Sequence, residues 1–544
     1  MNFIDYFKRF KLTPRNEQAE VLGKLEHAWN GYKYFAISAP PGVGKTHLAL
    51  AIAEALSRTY ILTGTKYLQE QYERTSAKLV DIKGRSNYVC NINPVFNADE
   101  APCIANKDLK RTCIQQSVCD YYNQKTKALN SQMMITNYAY FLTVTANADE
   151  DTEWTTRNAI VMDEAHDLEK HLISVAELKI SLSDLWNNFG VGNEEWRFTE
   201  DMNDNRKLLD LIMQMMLQKI AEMDDKIAAI FEEGTFMQKG KVKDMPKSTG
   251  DKIRKINSKK SVLQSYVSKI QVYEATREFT DSPWVETPNF EDNSIILSPL
   301  TSKYLFSMCM DAFAEKFVFM SATLPPKEVL CKEMGINPAE MCYIEVGTPF
   351  PPEKSPIVVL PVAKMNYKEL DKSIPVIVQA VEAILEAHPN EKGLIHTGNY
   401  KIASEILQRV DKGTRKRLIA RDMNQTKLHN NELLKLHSSN DDPTVLLSPS
   451  MTTGIDLYDD LARFQIIVKL PFPSLADPRI KKKSQVFNDW YSMQMWMEVL
   501  QASCRATRSM DDHSTTYILD ASFEHFLGNA YSKLPGWFKD RVQM

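Results

Sequence analysis

No uninterrupted apolar stretch of the 544-residue chain approaches the roughly 20 residues of a membrane-spanning helix. The segment from Met1 to Arg15 has no signal-like apolar region either. Both absences exclude an integral helical membrane protein, and a soluble, cytosolic protein with no membrane partner is expected. Net charge is also small, formally -4 at pH 7. No global positive field therefore attracts polyanions, and a site for one must be a local groove. Repeats and low-complexity tails are lacking. None of the eight cysteines is paired at the two-to-four-residue spacing of a zinc knuckle, and disulfides are not expected in a reducing cytosol. What remains is ordinary globular composition, 43% hydrophobic and 25% charged. At this length the chain is too long for one core and divides into about three or four domains.

The most informative stretch is Ser38-Ala39-Pro40-Pro41-Gly42-Val43-Gly44-Lys45-Thr46. It follows the apolar run Tyr34 to Ile37 and opens onto the alanine-rich His47 to Ala53, which gives strand, loop and helix. In such a loop, Pro41 to Gly44 turn backbone N–H groups onto phosphate oxygens at the positive end of the helix. Lys45 would reach the outer phosphates and the Thr46 hydroxyl would hold magnesium. Ala39 stands where the pattern usually has its first glycine. Upstream, the Thr13-Pro14-Arg15 turn offers Gln18 to a purine edge, although a solvent-facing glutamine on a first helical turn is the commoner case.

Apolar runs then alternate with helical patterns, as a parallel α/β sheet requires. Thr59 to Leu62 is one such run and Met133 to Tyr138 another. A third, Asn158 to Met162, ends in Asp163-Glu164-Ala165-His166. Asp163 at that strand end suits hydrated magnesium, and Glu164 suits the orientation or deprotonation of an attacking water. His166 is placed to sense a γ-phosphate. Between these runs Cys90, Cys103, Cys113 and Cys119 follow the spacing C-x12-C-x9-C-x5-C. Even scattering would put fewer than one cysteine there, and the intervening sequence has too little periodic apolar content to build a core. A metal staple is expected, with four thiolates around an iron–sulfur cluster favoured over zinc; four unrelated buried thiols are the alternative.

Together these motifs resemble those of the iron–sulfur superfamily 2 DNA helicases of the DinG/XPD-like family. Further matches follow in order: Ser321-Ala322-Thr323-Leu324, Gly454-Ile455-Asp456, and Gln501-Ala502-Ser503-Cys504-Arg505-Ala506-Thr507-Arg508. They run from about residue 13 to about residue 520. The resemblance implies two RecA-like parallel-sheet motor domains. The first would be split by a small cysteine-rich iron–sulfur insert (87–128) and a helical arch insert (177–282). Its own parts would then be 1–86, 129–176 and 283–346, with the second motor domain at 347–544. On this division no segment would be expected for the nuclease domain that some DinG relatives carry. It further implies ATP, Mg2+ and a 4Fe–4S cluster as cofactors, and 5′ to 3′ movement by a monomer on single-stranded and forked DNA. RNA and DNA–RNA hybrids are further candidate substrates.

The residues add detail to that expectation. Leu208 to Ile230 and Ile253 to Tyr273 each repeat apolar residues at helical spacing, with a turn across 232–250. Lys239 to Lys260 holds nine Lys or Arg against two Asp; a solvated hairpin tip and a phosphate-contacting one are the two readings. Pro-rich 347–352 suits a linker between domains. Strands are expected at 393–396, 444–447, 464–468 and 517–519. Arg505 and Arg508, three apart on a helix, would share a face with Gln501 and stabilise charge on the transferring phosphoryl group. Gly454 and Asp456 would complete the nucleotide side. Cys504 replaces a customary glycine. Lys66, Arg85, Thr323 and the run Lys481-Lys482-Lys483 are the candidate contacts to nucleic acid, without sequence readout. Two rivals stand beside the helicase: a DNA-stimulated translocase that remodels protein–DNA complexes without unwinding, and a zinc-stapled nucleic-acid-binding ATP switch.

Overall fold

Seven short strands form the first sheet, the inner ones buried along most of their length and the two edge strands only in part. The computed structural model describes residues 2–544 apart from 92, 93, 95, 105–109, 112, 115, 116, 147–153, 234–236, 239, 240, 243–246, 421–429, 450–456, 458, 505, 506 and 508–510. The strand order is Met341–Glu345, Tyr34–Ser38, Ala314–Ser321, Arg157–Asp163, Thr59–Thr63, Met133–Asn137 and Leu79–Asp81. All pairings are parallel. Parallel sheets need cover on both faces, and this one has it. Phe35 and Ile37 pack among Leu22, Leu48 and Ile52 on one side, while Tyr34 and Ala36 meet Tyr138, Leu172 and Phe306 on the other.

The second sheet repeats the plan. Its order is Leu418–Ala420, Val445–Ser448, Gly393–His396, Phe464–Ile467, Thr515–Asp520, Ile357–Ala363 and Val542–Gln543, again all parallel. The chain therefore has two parallel-sheet α/β domains. The four strands expected here from apolar runs all form, one with the expected ends and the others with ends shifted by no more than two residues.

Two long helices, Met202–Glu233 and Lys247–Thr276, rise from the first domain and pack along each other. Leu209, Ile212 and Met216 of the first helix and Leu263, Ile270 and Tyr273 of the second are buried in one cluster. At about 1.5 Å per residue, each spans more than 40 Å. Their base is an antiparallel sheet of Leu178–Ser181, Ser294–Pro299 and Trp284–Asn289, which the helical periodicity gave no sign of. At the far end, Ile227, Phe231 and Ile253 pack against Phe96, Cys103 and Cys113 of the cysteine segment. Arg254 Nε donates to Glu100 Oε2 at 2.9 Å across the same contact. Among the described residues no helix is long and apolar enough to cross a membrane.

Candidate nucleotide site and its surroundings

Strand order decides where the chemistry gathers. Tyr34–Ser38 and Arg157–Asp163 flank Ala314–Ser321, with Ser38 opposite Ser321 and Met320 opposite Asp163. Three parallel strands thus deliver the phosphate loop, the acidic pair and Ser321 to one edge. Ala39 N donates to Ser321 O at 2.9 Å, so the residue in the first-glycine position is seated by the neighbouring strand end. Gly42 and Gly44 have φ of 84° and 87°, the left-handed region that glycine alone enters without strain. A Cβ on Gly42 would lie 2.1 Å from the Phe350 ring, and one on Gly44 would lie 2.5 Å from Gln18 Nε2. The loop is therefore held from two sides.

Gln18 is buried, and its amide is spent on the loop. Nε2 donates to Gly44 O at 3.3 Å, while Oε1 accepts from Arg15 N at 2.9 Å. Both ends of the carboxamide that was expected to approach a purine therefore have protein partners here. Arg15 is the exposed N-cap of the same helix. Lys45 opens the Lys45–Leu56 helix and its Nζ donates to Ala39 O at 3.3 Å.

Asp163 is nearly inaccessible. Its Oδ1 accepts from Glu164 N at 3.0 Å and its Oδ2 from the Tyr72 hydroxyl at 2.8 Å. Burial raises its pKa to about 6, the Glu164 charge adds to that, and Lys45 opposes it. An anionic site that is costly without a cation is what a divalent-metal ligand presents before its metal binds. Asp163 and Thr46 both approach Tyr72, so the two residues suited to hold magnesium share a neighbour. Glu164 adopts φ 53°, a strained conformation for a side chain with a Cβ, costing about 1–2 kcal/mol. Such outliers gather where geometry serves chemistry.

From Glu164 a chain of contacts leads to the second domain. His166 Nδ1 lies 3.3 Å from Glu164 Oε2 and 2.8 Å from Ser321 Oγ, and its Nε2 lies 3.2 Å from Asp167 Oδ2. Burial works against a charged ring, but the bonds to Asp167 and Glu164 carry its pKa to about 9. Ser321 Oγ accepts from Thr323 N at 3.2 Å, and Thr323 Oγ1 accepts from Gln501 Nε2 at 3.0 Å. Gln501 sits on the helix Asn488–Ser503, which ends just before Cys504. Pro40 and Pro41 share a small cavity with Phe350, Cys504 and Thr507, so this segment abuts the phosphate loop. Cys504 has φ -103°, an angle that does not call for glycine. Arg505 and Arg508, with Gly454 and Asp456, lie outside the described residues.

The Helicase C-terminal domain family profile matches residues 381–541, and that of the type III restriction enzyme res subunit matches residues 11–211. The ATP-dependent DNA helicase YoaA of Haemophilus influenzae is 20% identical over 93% of this chain and 91% of its own. The ATP-dependent DNA helicase XPD of Sulfolobus acidocaldarius is 22% identical over 78% of this chain and 76% of its own. A solved XPD helicase superposes with a TM-score of 0.63 at 16% identity, covering 98% of this chain and 99% of that one. Xpd4 of S. tokodaii gives 0.56 at 16% identity over 97% and 100%.

The chain is similar to the DinG/XPD-like superfamily 2 helicases. The residues expected to contact nucleic acid fare unevenly. Lys66 is exposed, with Nζ donating to Asn87 Oδ1 at 2.7 Å. Lys481 is exposed. Arg85 is half-buried, its guanidinium bonded to the Tyr122 hydroxyl at 3.2 Å and lying over the Tyr121 ring. Thr323 is buried, and its hydroxyl accepts from Gln501. Lys483 of the basic run is corrected, being fully buried between Glu169 and Glu333. Of the basic helical stretch, Arg254, Lys259 and Lys260 are engaged with Glu100, Asn188 and Asp224, which favours a structural part for those three.

The four clustered cysteines converge. Cys103 and Cys113 are buried with Cys90 and Cys119 packed beside them. Burial, then the neighbouring thiols, push Cys103 up to about 11 and Cys113 to about 12. Four thiols in one apolar pocket are a donor set suited to a cationic cluster. Among the described residues, however, no three His, Cys, Asp or Glu side chains stand at metal-coordinating distance. Sequence reasoning missed Tyr72, Phe350 and a cavity of about 280 Å3 lined by Lys170, His396, Lys469, Phe472 and Glu498. Lys170 comes from the first domain and the others from the second, so only the folded arrangement makes the site visible.

Proposed function

We propose that the chain is an ATP-dependent DNA helicase that moves 5′ to 3′ along single strands and separates duplex. The observation that carries this reading is the contact path from Glu164 through His166, Ser321 and Thr323 to Gln501. It ties the carboxylate best placed to act on water to a helix of the opposite domain. In this reading Pro41 to Gly44 and Lys45 hold the phosphates of ATP, and Thr46 and Asp163 hold Mg2+. Bound there, Mg2+ would neutralise developing phosphate charge. Glu164 orients the attacking water and takes its proton. Arg505 and Arg508, following Gln501, stabilise the transferring phosphoryl group from the second domain. Loss of the γ-phosphate then releases the contact at Thr323, and the domains separate by a step along the strand.

Lys66, Arg85 and Lys481, with Lys170 and Lys469 in the interdomain cavity, are assigned to the backbone of the strand. Phe472 in the same cavity offers a face for base stacking, which is tolerant of sequence. Cys90, Cys103, Cys113 and Cys119 are assigned to a 4Fe–4S cluster, whose part would be to staple the insert between the first domain and the two long helices. The protein is taken to act as a monomer on single-stranded and forked DNA, with RNA and DNA–RNA hybrids as substrates to compare.

The test is strand separation by anaerobically purified protein on duplexes with a 5′ or a 3′ single-stranded tail. Opening only from the 5′ tail supports the helicase and its direction together. Opening only from the 3′ tail keeps the helicase and rejects the direction. DNA-stimulated hydrolysis without opening of either favours a translocase that remodels protein–DNA complexes. Efficient unwinding by iron-free wild-type protein would remove the cluster from the proposal.

A further inference from the structure

Tyr72 has no part in the path just described, yet it touches the centre of the site. It lies on the helix Lys66–Thr75, whose N-cap Thr65 accepts from Leu68 N at 3.3 Å. Lys66 and Tyr67 at the start of that helix are exposed, Tyr67 to 68%. Gln69 and Tyr72, three apart and so neighbours along the helix, are buried. Gln69 Nε2 donates to Ile82 O at 3.1 Å, which fixes the rotation of the helix. The Tyr72 hydroxyl donates to Asp163 Oδ2 at 2.8 Å and also interacts with the Thr46 side chain. One helix therefore carries an exposed basic and aromatic end and, six residues on, a hydroxyl seated between the two groups assigned to magnesium.

We propose that Tyr72 is a positioning residue for the magnesium site, and that the Lys66–Thr75 helix links a bound single strand to that site. Asp163 offers each of its oxygens to one protein donor, Glu164 N and the Tyr72 hydroxyl, which fixes the carboxylate plane and leaves a lone pair on each for a hydrated cation. Groups that orient a metal ligand in this way change metal affinity about 10–100-fold when removed. A strand lying on Lys66 and Tyr67 biases the position of the helix, and Tyr72 transmits that bias to Asp163. Affinity for magnesium and affinity for the strand are then reciprocal. The proposal rests on the ATPase reading of the site.

The test is binding of a fluorescent ADP analogue, titrated with Mg2+, with and without an oligothymidylate strand. In wild-type protein the strand should lower the magnesium concentration at half-saturation. Tyr72→Phe should raise that concentration about tenfold while leaving ADP affinity without Mg2+ unchanged. Lys66→Ala should lose the effect of the strand. Tyr72→Phe with wild-type half-saturation would overturn the positioning role. Wild-type protein whose magnesium response ignores the strand would overturn the link, and needs no variant to fold. Wild-type protein that binds ADP without any response to Mg2+ would instead sink the ATPase reading, and the proposal with it.

Discussion

Lys483 is completely buried with its ammonium 2.7 Å from Glu169 Oε1 and 2.5 Å from Glu333 Oε2. The lysine belongs to the helix Pro478–Val486, which follows the second sheet's Phe464–Ile467 strand, and both carboxylates belong to helices of the first domain. Arg479 also bonds Glu169, and Trp490 Nε1 donates to Glu169 Oε2 at 3.1 Å. This ionic knot fastens the two domains, as the Gln501–Thr323 contact also does. Removing one member of a buried ion pair leaves its partner unpaired, at about 3–5 kcal/mol. Lys483→Ala should lower stability to chemical denaturation by about that amount. Lys483→Met, which fills the space, should cost less. Neither should alter the salt dependence of single-strand affinity, because the ammonium never meets solvent; a reduced salt slope would return Lys483 to the DNA surface.

The same knot predicts a pH dependence. Burial, then the Glu169 charge, raises Glu333 to about 7, against the pull of Lys483. Burial also acts on Glu169, but Lys483 and Arg479 outweigh it and hold that group at about 2. A carboxyl with a raised native pKa binds its proton more tightly folded than unfolded. Its contribution to stability is therefore full below about pH 4.5 and is lost as pH rises through about 7. Glu169 has the opposite sign, but its window lies below pH 4.5. Glu333→Gln should thus remove 1–3 kcal/mol, roughly, of the fall in stability between pH 5 and 8. Thermal melts of wild type and variant across that range measure the difference. Parallel curves would contradict it.

These contacts mark the limit of what the sequence shows. The phosphate loop and the Asp163-Glu164 strand end are legible because backbone geometry forces glycine, lysine and acid into fixed spacing. The long helices are legible from period alone. Lys483 is not: in the sequence it is one of three lysines, and only the packing of Pro478–Val486 against Glu169 and Glu333 separates it from exposed Lys481. Thr323 misleads for a similar reason, since a hydroxyl beside a strand end serves DNA or protein equally well until Gln501 arrives from residues 178 positions away. Tyr72 has no motif, and its significance appears only when Asp163 comes within reach. Long-range polar contacts leave little trace in one sequence.

Thr323→Val keeps the shape of the side chain and removes the acceptor for Gln501. Gln501 Oε1 has no partner among the described residues, so the variant would remove the one hydrogen bond the amide makes to them, a cost of about 1–3 kcal/mol. The contact joins the domains rather than binding nucleotide. The expected result is a KM for ATP close to wild type and a lower kcat in the presence of single strands, by about tenfold if the lost contact is made only when the domains close. Steady-state ATPase assays with saturating oligonucleotide decide it. A raised KM with unchanged kcat would mean that Gln501 and Thr323 serve binding instead.

Gln18 offers the sharpest separation between two readings of one residue. If its amide recognised adenine, Gln18→Ala would lose discrimination between ATP and GTP. In the structure the amide instead joins Gly44 to Arg15, and Gly44 is held at a φ that other residues avoid. Losing this brace loosens the loop around any nucleoside triphosphate. Gln18→Ala should therefore weaken ATP and GTP binding together, by about 0.5–1.5 kcal/mol for one hydrogen bond of this kind, with their ratio unchanged. Competitive displacement of a fluorescent nucleotide by each triphosphate reads both affinities in one experiment. A selective loss of ATP affinity would show that the glutamine leaves Gly44 and turns to the base when nucleotide binds.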